Sequence, residues 1–186
     1  MFVALVLPDH AVEDLEEFLR PRQEAGPLLR WTVPDQWHVT LAFLGDVAER
    51  HLDDLVERLG RAASRRTPVA LRVAGAGAFP DVARAKVIWA GIDAAGEGEE
   101  LRRMAIGARA AGAKSGAGEG GGRFHPHLTL ARTGRAVEAS RWLRVLDGYV
   151  GPTWRAERYS LIESHLGEGP RRRPRYEVVE TFAVGR

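Results

Sequence analysis

The chain has 186 residues, 45% hydrophobic and 28% charged, which suits one globular domain, or two small lobes on a shared core, and excludes disorder throughout. It contains no cysteine, which excludes disulfides, thiolate metal sites and a cysteine nucleophile, and fits a reducing compartment. Formal net charge is only +2, so bulk charge does not announce a nucleic-acid partner.

Lys86 and Lys114 are the only lysines, and every other basic side chain apart from histidine is arginine, whose planar fork matches phosphate. A GC-rich genome that encodes arginine and alanine freely gives the same bias. The apolar start Met1–Pro8 is too short for a signal peptide and lacks a basic lead-in. No apolar stretch approaches the ~20 residues of a membrane span, so a cytoplasmic, non-membrane protein is expected.

Residues 2–7, apolar with β-branched members, read as a strand stopped by Pro8. Asp9 is placed to cap a helix to about Glu24, with Val12, Leu15 and Leu19 at helical spacing. Trp37 to Leu44 reads as a second strand, closed by Gly45. Asp46 to Glu49 has the form of a capping box, and Leu52, Leu55, Val56 and Leu59 then make one helical stripe. Val69–Val73 and Lys86–Ile92 read as strands joined by a glycine-rich turn over 75–80. A helix is predicted over about 95–111, and a mobile loop over Gly112–Gly122, where six of eleven residues are glycine. A strand near His127–Ala131, a helix near Val137–Leu146 and strands near Trp154–Ile162 and Arg175–Phe182 complete the chain. Strands and helices mix without regular parallel crossovers, which predicts an α+β fold with antiparallel sheet.

His38-Val-Thr-Leu-Ala42 recurs as His127-Leu-Thr-Leu-Ala131, at matching places in the two halves of the chain. Side chains alternate along a strand, so His38 and Thr40 share one face while Val39 and Leu41 take the other, and the second copy repeats this. Alone, a His-x-Thr on a strand reads as a structural pair. Two copies in related halves predict an internal duplication whose pseudo-two-fold axis brings both pairs to one cleft. That set suits in-line displacement at phosphorus. One imidazole takes a proton from the attacking oxygen, the other protonates the leaving oxygen, and the threonine hydroxyls bind non-bridging oxygens. Neither metal nor cofactor is required. His125 and His127 share a strand face and could bind a metal, but spacing supplies no third ligand.

These motifs resemble the paired HxTx motifs of the 2H phosphoesterase superfamily, and are most similar to those of its RNA 2′,3′-cyclic phosphodiesterases, historically called 2′-5′ RNA ligases. The resemblance also takes in Phe2-Val-Ala-Leu5, Trp37 to Gly45, Gly77-Ala-Phe-Pro80, Val87-Ile-Trp89, Arg123 to Arg132 and Arg175-Tyr-Glu-Val178. It implies a single bilobal domain over residues 1–186, with antiparallel sheets lining a central groove and helices outside. The implied reaction is hydrolysis of RNA 2′,3′-cyclic phosphate ends to 2′-phosphomonoesters, with His38 as proton donor and His127 as proton acceptor. The residues themselves do not separate those two roles. The resemblance also implies ligation of tRNA fragments through the reverse step. A non-catalytic RNA-end-binding module and a 2H enzyme acting on a small cyclic nucleotide are the alternatives. Oligomeric state leaves no mark in the sequence, and a monomer is the default.

Around the motifs, Arg132 is a candidate phosphate ligand, although a straight strand would turn it away from His127. Phe43 and Phe124 are candidates for stacking on a base, with core packing as the competing role. Ser160-Leu-Ile-Glu-Ser-His-Leu166 resembles the family's Ser-Leu-x-x-Ser-x-Leu stretch, with His165 where arginine is common, so His165 is a weaker phosphate candidate. Arg171–Arg173 are candidates for touching an RNA backbone.

Overall fold

The structure, a computed structural model, describes residues 1–25, 29–117 and 122–185. The strands are β1 (Phe2–Val6), β2 (Arg30–Trp31), β3 (His38–Phe43), β4 (Val69–Phe79), β5 (Ala85–Asp93), β6 (His127–Val137), β7 (Trp154–Ala156), β8 (Arg158–His165) and β9 (Arg175–Ala183). The α-helices are α1 (Asp9–Ala25), α2 (Leu52–Ala63), α3 (Gly98–Ser115) and α4 (Ser140–Leu146). This is the α+β architecture expected, with every strand pairing antiparallel. Among the described residues no helix is long and apolar enough to cross a membrane.

The sheet runs β7-β4-β5-β6-β3-β1-β8-β9, with the two motif strands β6 and β3 side by side at its centre. One arm, β5-β4-β7, extends from β6; the other, β1-β8-β9, extends from β3. The arms are not the sequence halves, because the C-terminal hairpin β8–β9 joins the N-terminal strand β1. Antiparallel pairing needs no crossover helix, so the chain is free to return to either edge.

Val39, Leu41, Leu128 and Leu130 are at most 1% exposed and hold the motif strands on the core. Burying each stabilises the fold by about 2 kcal/mol. Helix α3 packs across β3 and α2 lies against α3, so these helices cover the sheet face opposite the histidines. Tyr159 ties β8 to α2 by donating to the Leu59 carbonyl at 2.7 Å, and burial pushes its phenol well above the usual range.

Several local expectations are corrected. Asp9 is the first helical residue of α1, and the Pro8 carbonyl takes the amides of Ala11 and Val12. Asp46 caps nothing; a 3-10 turn over Glu49–His51 leads into α2 with no side-chain cap. Residues 75–79 of the expected turn are strand, and only Pro80 begins the bend. Gly77 pairs with Trp89, and any side chain at 77 would collide with that indole, so the glycine serves close approach rather than a reversal. The 112–122 segment begins as helix. Helix α3 continues to Ser115, because Gly112 lets it close onto the Leu44 side chain, and it ends at Gly116, whose φ of 79° is left-handed. Residues 118–121 of that segment lie outside the described residues. The stretch 154–162 breaks at Glu157 into β7, which pairs with β4, and β8, which pairs with β1 and β9.

Candidate active site

β3 and β6 meet through a single register pair, Val39 opposite Leu128. Continued one residue each way, that register sets His38 toward Thr129 and Thr40 toward His127. Beyond it the strands part. Thr32, just after β2, takes the place of a neighbouring strand: its amide donates to the Leu130 carbonyl at 2.9 Å, and its hydroxyl donates to the carbonyls of Thr129 and Leu130 at 2.7 and 2.9 Å. The opening between the strands is a cleft of about 600 Å³ into which His38, Thr40, His127 and Thr129 all face.

The two histidines are held alike. His38 Nδ1–H donates to the Gln36 carbonyl at 2.8 Å, and His127 Nδ1–H to the His125 carbonyl at 2.8 Å. A carbonyl only accepts, so each Nδ1 carries the proton and each Nε2 is the atom free to take or give one. Aromatic rings wall both imidazoles. Phe2 and Tyr176 lie 4.7 and 5.4 Å from the His38 ring, and Phe79 and Trp89 lie 5.0 and 5.9 Å from the His127 ring.

Burial pushes the His38 imidazole down from 6.5 to about 4. The bond to Gln36 opposes this, and the charges of His127 and Arg132 add to it. His127 is lowered by burial too, against its bond to the His125 carbonyl, with His125 and Arg132 contributing charge. Both rings are therefore neutral near pH 7.

A bulge sits at the same place in both motif strands. Opposite β3, Val3 pairs with Ala42 and Ala4 with Thr40, leaving Leu41 as the extra residue; opposite β6, Ile88 pairs with Ala131 and Trp89 with Thr129, leaving Leu130. Each bulge reverses the alternation, so Leu-Ala is buried as a pair and the fifth residue after the histidine returns to the cleft face. Arg132 and Phe43 both line the cleft for this reason, and Arg132 is corrected from the opposite face that a straight strand would give it. Because the strands are antiparallel, the two residues stand at opposite ends.

His165 is not brought to the cleft. Its ring lies within 3.4–3.9 Å of Glu163, Glu168 and Glu177, while its neighbours Ser164 and Leu166 line the site. Period-two alternation puts it on the other side of β8. Phe124 packs against the core rather than facing the cleft. Of the basic run before β9, Arg173 lines the cleft and donates to the Trp31 carbonyl at 3.2 Å. The His125 and His127 rings are 6.0 Å apart, and among the described residues no three His, Asp or Glu side chains group as a metal would need. Sequence reasoning missed Arg30, Thr32 and Gln36, which line the cleft from β2 and the turn before β3. A two-residue strand leaves no periodic signal.

Paired His-x-Thr strands opening one cleft in an antiparallel α+β fold define the two-histidine phosphoesterase class. The model of the LigT-like phosphoesterases matches residues 6–89. An RNA 2′,3′-cyclic phosphodiesterase of Thermus thermophilus is 33% identical over 99% of this chain and 89% of its own. One of Geobacillus stearothermophilus is 27% identical over 98% of this chain, which spans only 56% of that longer relative. The crystal structure of Escherichia coli LigT complexed with 3′-AMP aligns with a TM-score of 0.77 at 26% identity, covering 100% of this chain and 97% of that one. The chain belongs to the LigT-like phosphoesterase family, which includes these RNA 2′,3′-cyclic phosphodiesterases.

Proposed function

We propose that the protein hydrolyses RNA 2′,3′-cyclic phosphate ends to 2′-phosphomonoesters. Water attacks phosphorus and gives its proton to His127 Nε2. The bond from phosphorus to O3′ breaks, and His38 Nε2 protonates that oxygen, leaving a 2′-phosphate and a 3′-hydroxyl. Thr40 and Thr129 donate to the non-bridging oxygens as charge builds there, and Arg132 holds the phosphate. Phe43 stacks on the base. The reverse step, with an RNA hydroxyl in place of water, would give a 2′-5′ linkage.

The observation that carries this reading is the pair of imidazoles on adjacent antiparallel strands, each with Nδ1 tied to a carbonyl and Nε2 left for proton exchange. The duplicated frame also supports reading the chain as one domain of two related lobes. The donor role of His38 rests on the family resemblance. Burial opposes a proton on His38, so in this reading the bound phosphate anion supplies the charge that restores it. E. coli LigT has been solved complexed with 3′-AMP, which supports a nucleotide ligand for this chain too.

End-product analysis on an oligonucleotide ending in a 2′,3′-cyclic phosphate tests the proposal. A 2′-phosphate product, formed with chelator present, is expected. A 3′-phosphate would reverse the assigned leaving oxygen, and no product would remove the hydrolase reading in favour of an RNA-end-binding module. Faster turnover of a cyclic mononucleotide than of the oligonucleotide would shift the substrate to the small-molecule class.

A further inference from the structure

On the sheet face away from the histidines, α2 and α3 converge on a groove of about 570 Å³. The helices come close because Gly107 faces Ala62; a Cβ there would sit 3.6 Å from that of Ala62. Small residues therefore form the floor, and cations form the walls: Arg58, Arg61, Arg65 and Arg66 from α2 and the turn after it, Arg103 and Lys114 from α3. Among the described residues no acidic side chain lines the groove. It continues into a second depression that shares Arg61, Arg65 and Arg66.

The nearby carboxylates are engaged from outside. Asp54 holds Arg58 at 2.7 Å, Glu57 holds Arg61 at 2.9 Å, and Glu99 holds Arg103 at 3.3 Å. Glu100 accepts from the Thr67 amide at 3.0 Å and lies 3.6 Å from Arg66. Arg65 and Lys114 are exposed and have no carboxylate partner among the described residues. With four of the six cations ion-paired, Arg65 and Lys114 leave the groove an excess of positive charge that a polyanion would neutralise. An ion-paired guanidinium keeps unused N–H donors and is already oriented to offer them.

We propose that the α2–α3 groove is a second, non-catalytic surface that binds the phosphodiester backbone of single-stranded RNA. The choice of RNA rests on the proposed function. Two features favour it over a lipid surface. The cations line a concave groove rather than a flat face, and among the described residues Ile106 is its only exposed large apolar side chain, too little to insert into a bilayer. The cleft holds the RNA end; the groove, on the opposite face, takes backbone remote from it.

The test uses the full chain and a mixed-sequence oligoribonucleotide with a 5′ fluorophore and a 3′-hydroxyl, followed by anisotropy across a salt series. Neutralising three of the four exposed cations in Arg61→Gln/Arg65→Gln/Lys114→Gln, with Arg103 left in its pair with Glu99, is expected to weaken binding about tenfold near 0.1 M salt. The log–log salt slope should fall by about 2, as single strands lose roughly 0.7 per phosphate contact. Thermal unfolding and turnover of a 2′,3′-cyclic mononucleotide should not change. Unchanged RNA affinity and slope in the triple variant overturn the proposal. So does loss of binding to phosphatidylserine vesicles with RNA binding retained, which would assign the groove to membranes. If the parent turns over no cyclic phosphate, the function proposed above fails, while the anisotropy still decides the groove.

Discussion

The strands β3 and β6 share one backbone design and differ in what it carries. Both tie a histidine Nδ1 to the carbonyl two residues before it, both bury Leu-Ala at a bulge, and both return their fifth residue to the cleft. On β3 that residue is Phe43, 61% exposed at the cleft rim; on β6 it is Arg132, a cation whose field reaches both histidines. The same frame thus gives a cleft one apolar end and one cationic end. A substrate with a flat base and a phosphate has one orientation in such a cleft. Local geometry explains why two imidazoles are available, and the unlike fifth residues explain how a molecule would be oriented between them.

The likeness of the two strands is broken most severely at the histidines. His38→Ala and His127→Ala should each lower turnover of a 2′,3′-cyclic nucleotide about 10³-fold, as loss of a general acid or base does. Circular dichroism should show both variants folded. Near-wild-type rates in either one would remove that ring from the chemistry and end the two-histidine reading.

The next effect separates the histidines by environment. An unfolded histidine titrates near 6.5, whereas folded His38 titrates at about 4. Between those values the unfolded chain binds a proton that the folded chain refuses, so stability is full above pH 6.5 and falls as pH drops toward 4. The whole fall due to His38 is about 3 kcal/mol, from roughly 1.4 kcal/mol per pH unit. His127 is shifted the same way and adds to it. Urea midpoints at pH 7.5 and 4.5 should converge in His38→Gln relative to the parent. An equal fall in both proteins would mean that His38 is not the buried neutral group described.

The unlike fifth residues come next. Arg132→Ala should cost about 2 kcal/mol in kcat/KM on any cyclic phosphate, as a charge-assisted contact does, with part recovered in Arg132→Lys. Phe43→Ala should cost about 1 kcal/mol, mostly in KM and with dependence on the base. Steady-state kinetics on several cyclic nucleotides checks both. A base-dependent loss from Arg132→Ala would reverse the assignment of the two ends.

The histidine and threonine pairs were legible because a strand's period of two makes His-x-Thr a statement about one face, and the repeat made it a statement about two. Arg132 was not, because period two assigns it the wrong face, and nothing in His127-Leu-Thr-Leu-Ala131 announces the bulge that corrects it. The antiparallel α+β class followed from element order. The return of β8 and β9 to β1 did not, since long-range pairing leaves no local trace. Gly77 and Gly112 misled for one reason: glycine that makes room for Trp89 or Leu44 looks in sequence like glycine that makes a turn. The facing cations of α2 and α3 were hidden because α2 alone mixes arginine with aspartate and glutamate, and α3 alone mixes it with glutamate.

The smallest predicted effect on turnover concerns Thr32, which supports β6 where β3 leaves it. Its hydroxyl donates to the Thr129 and Leu130 carbonyls and accepts from Trp37 Nε1 at 3.0 Å. Thr32→Val keeps the shape and the backbone bond to Leu130 but leaves the buried Trp37 indole N–H without its acceptor. That costs about 1–2 kcal/mol, or a melting temperature lower by roughly 2–8 °C for a chain of this size. The bulge that carries Arg132 then keeps the Thr32 amide bond but loses the bonds from the hydroxyl, so kcat should fall a few-fold on every cyclic phosphate, while the Phe43 end keeps its base preference. Calorimetry and kinetics on the same variant separate the two consequences. A lower melting temperature with unchanged kcat would show that β2, β5 and the Thr32 amide suffice to hold the β6 bulge, and that the Thr32 hydroxyl braces the fold without positioning Arg132.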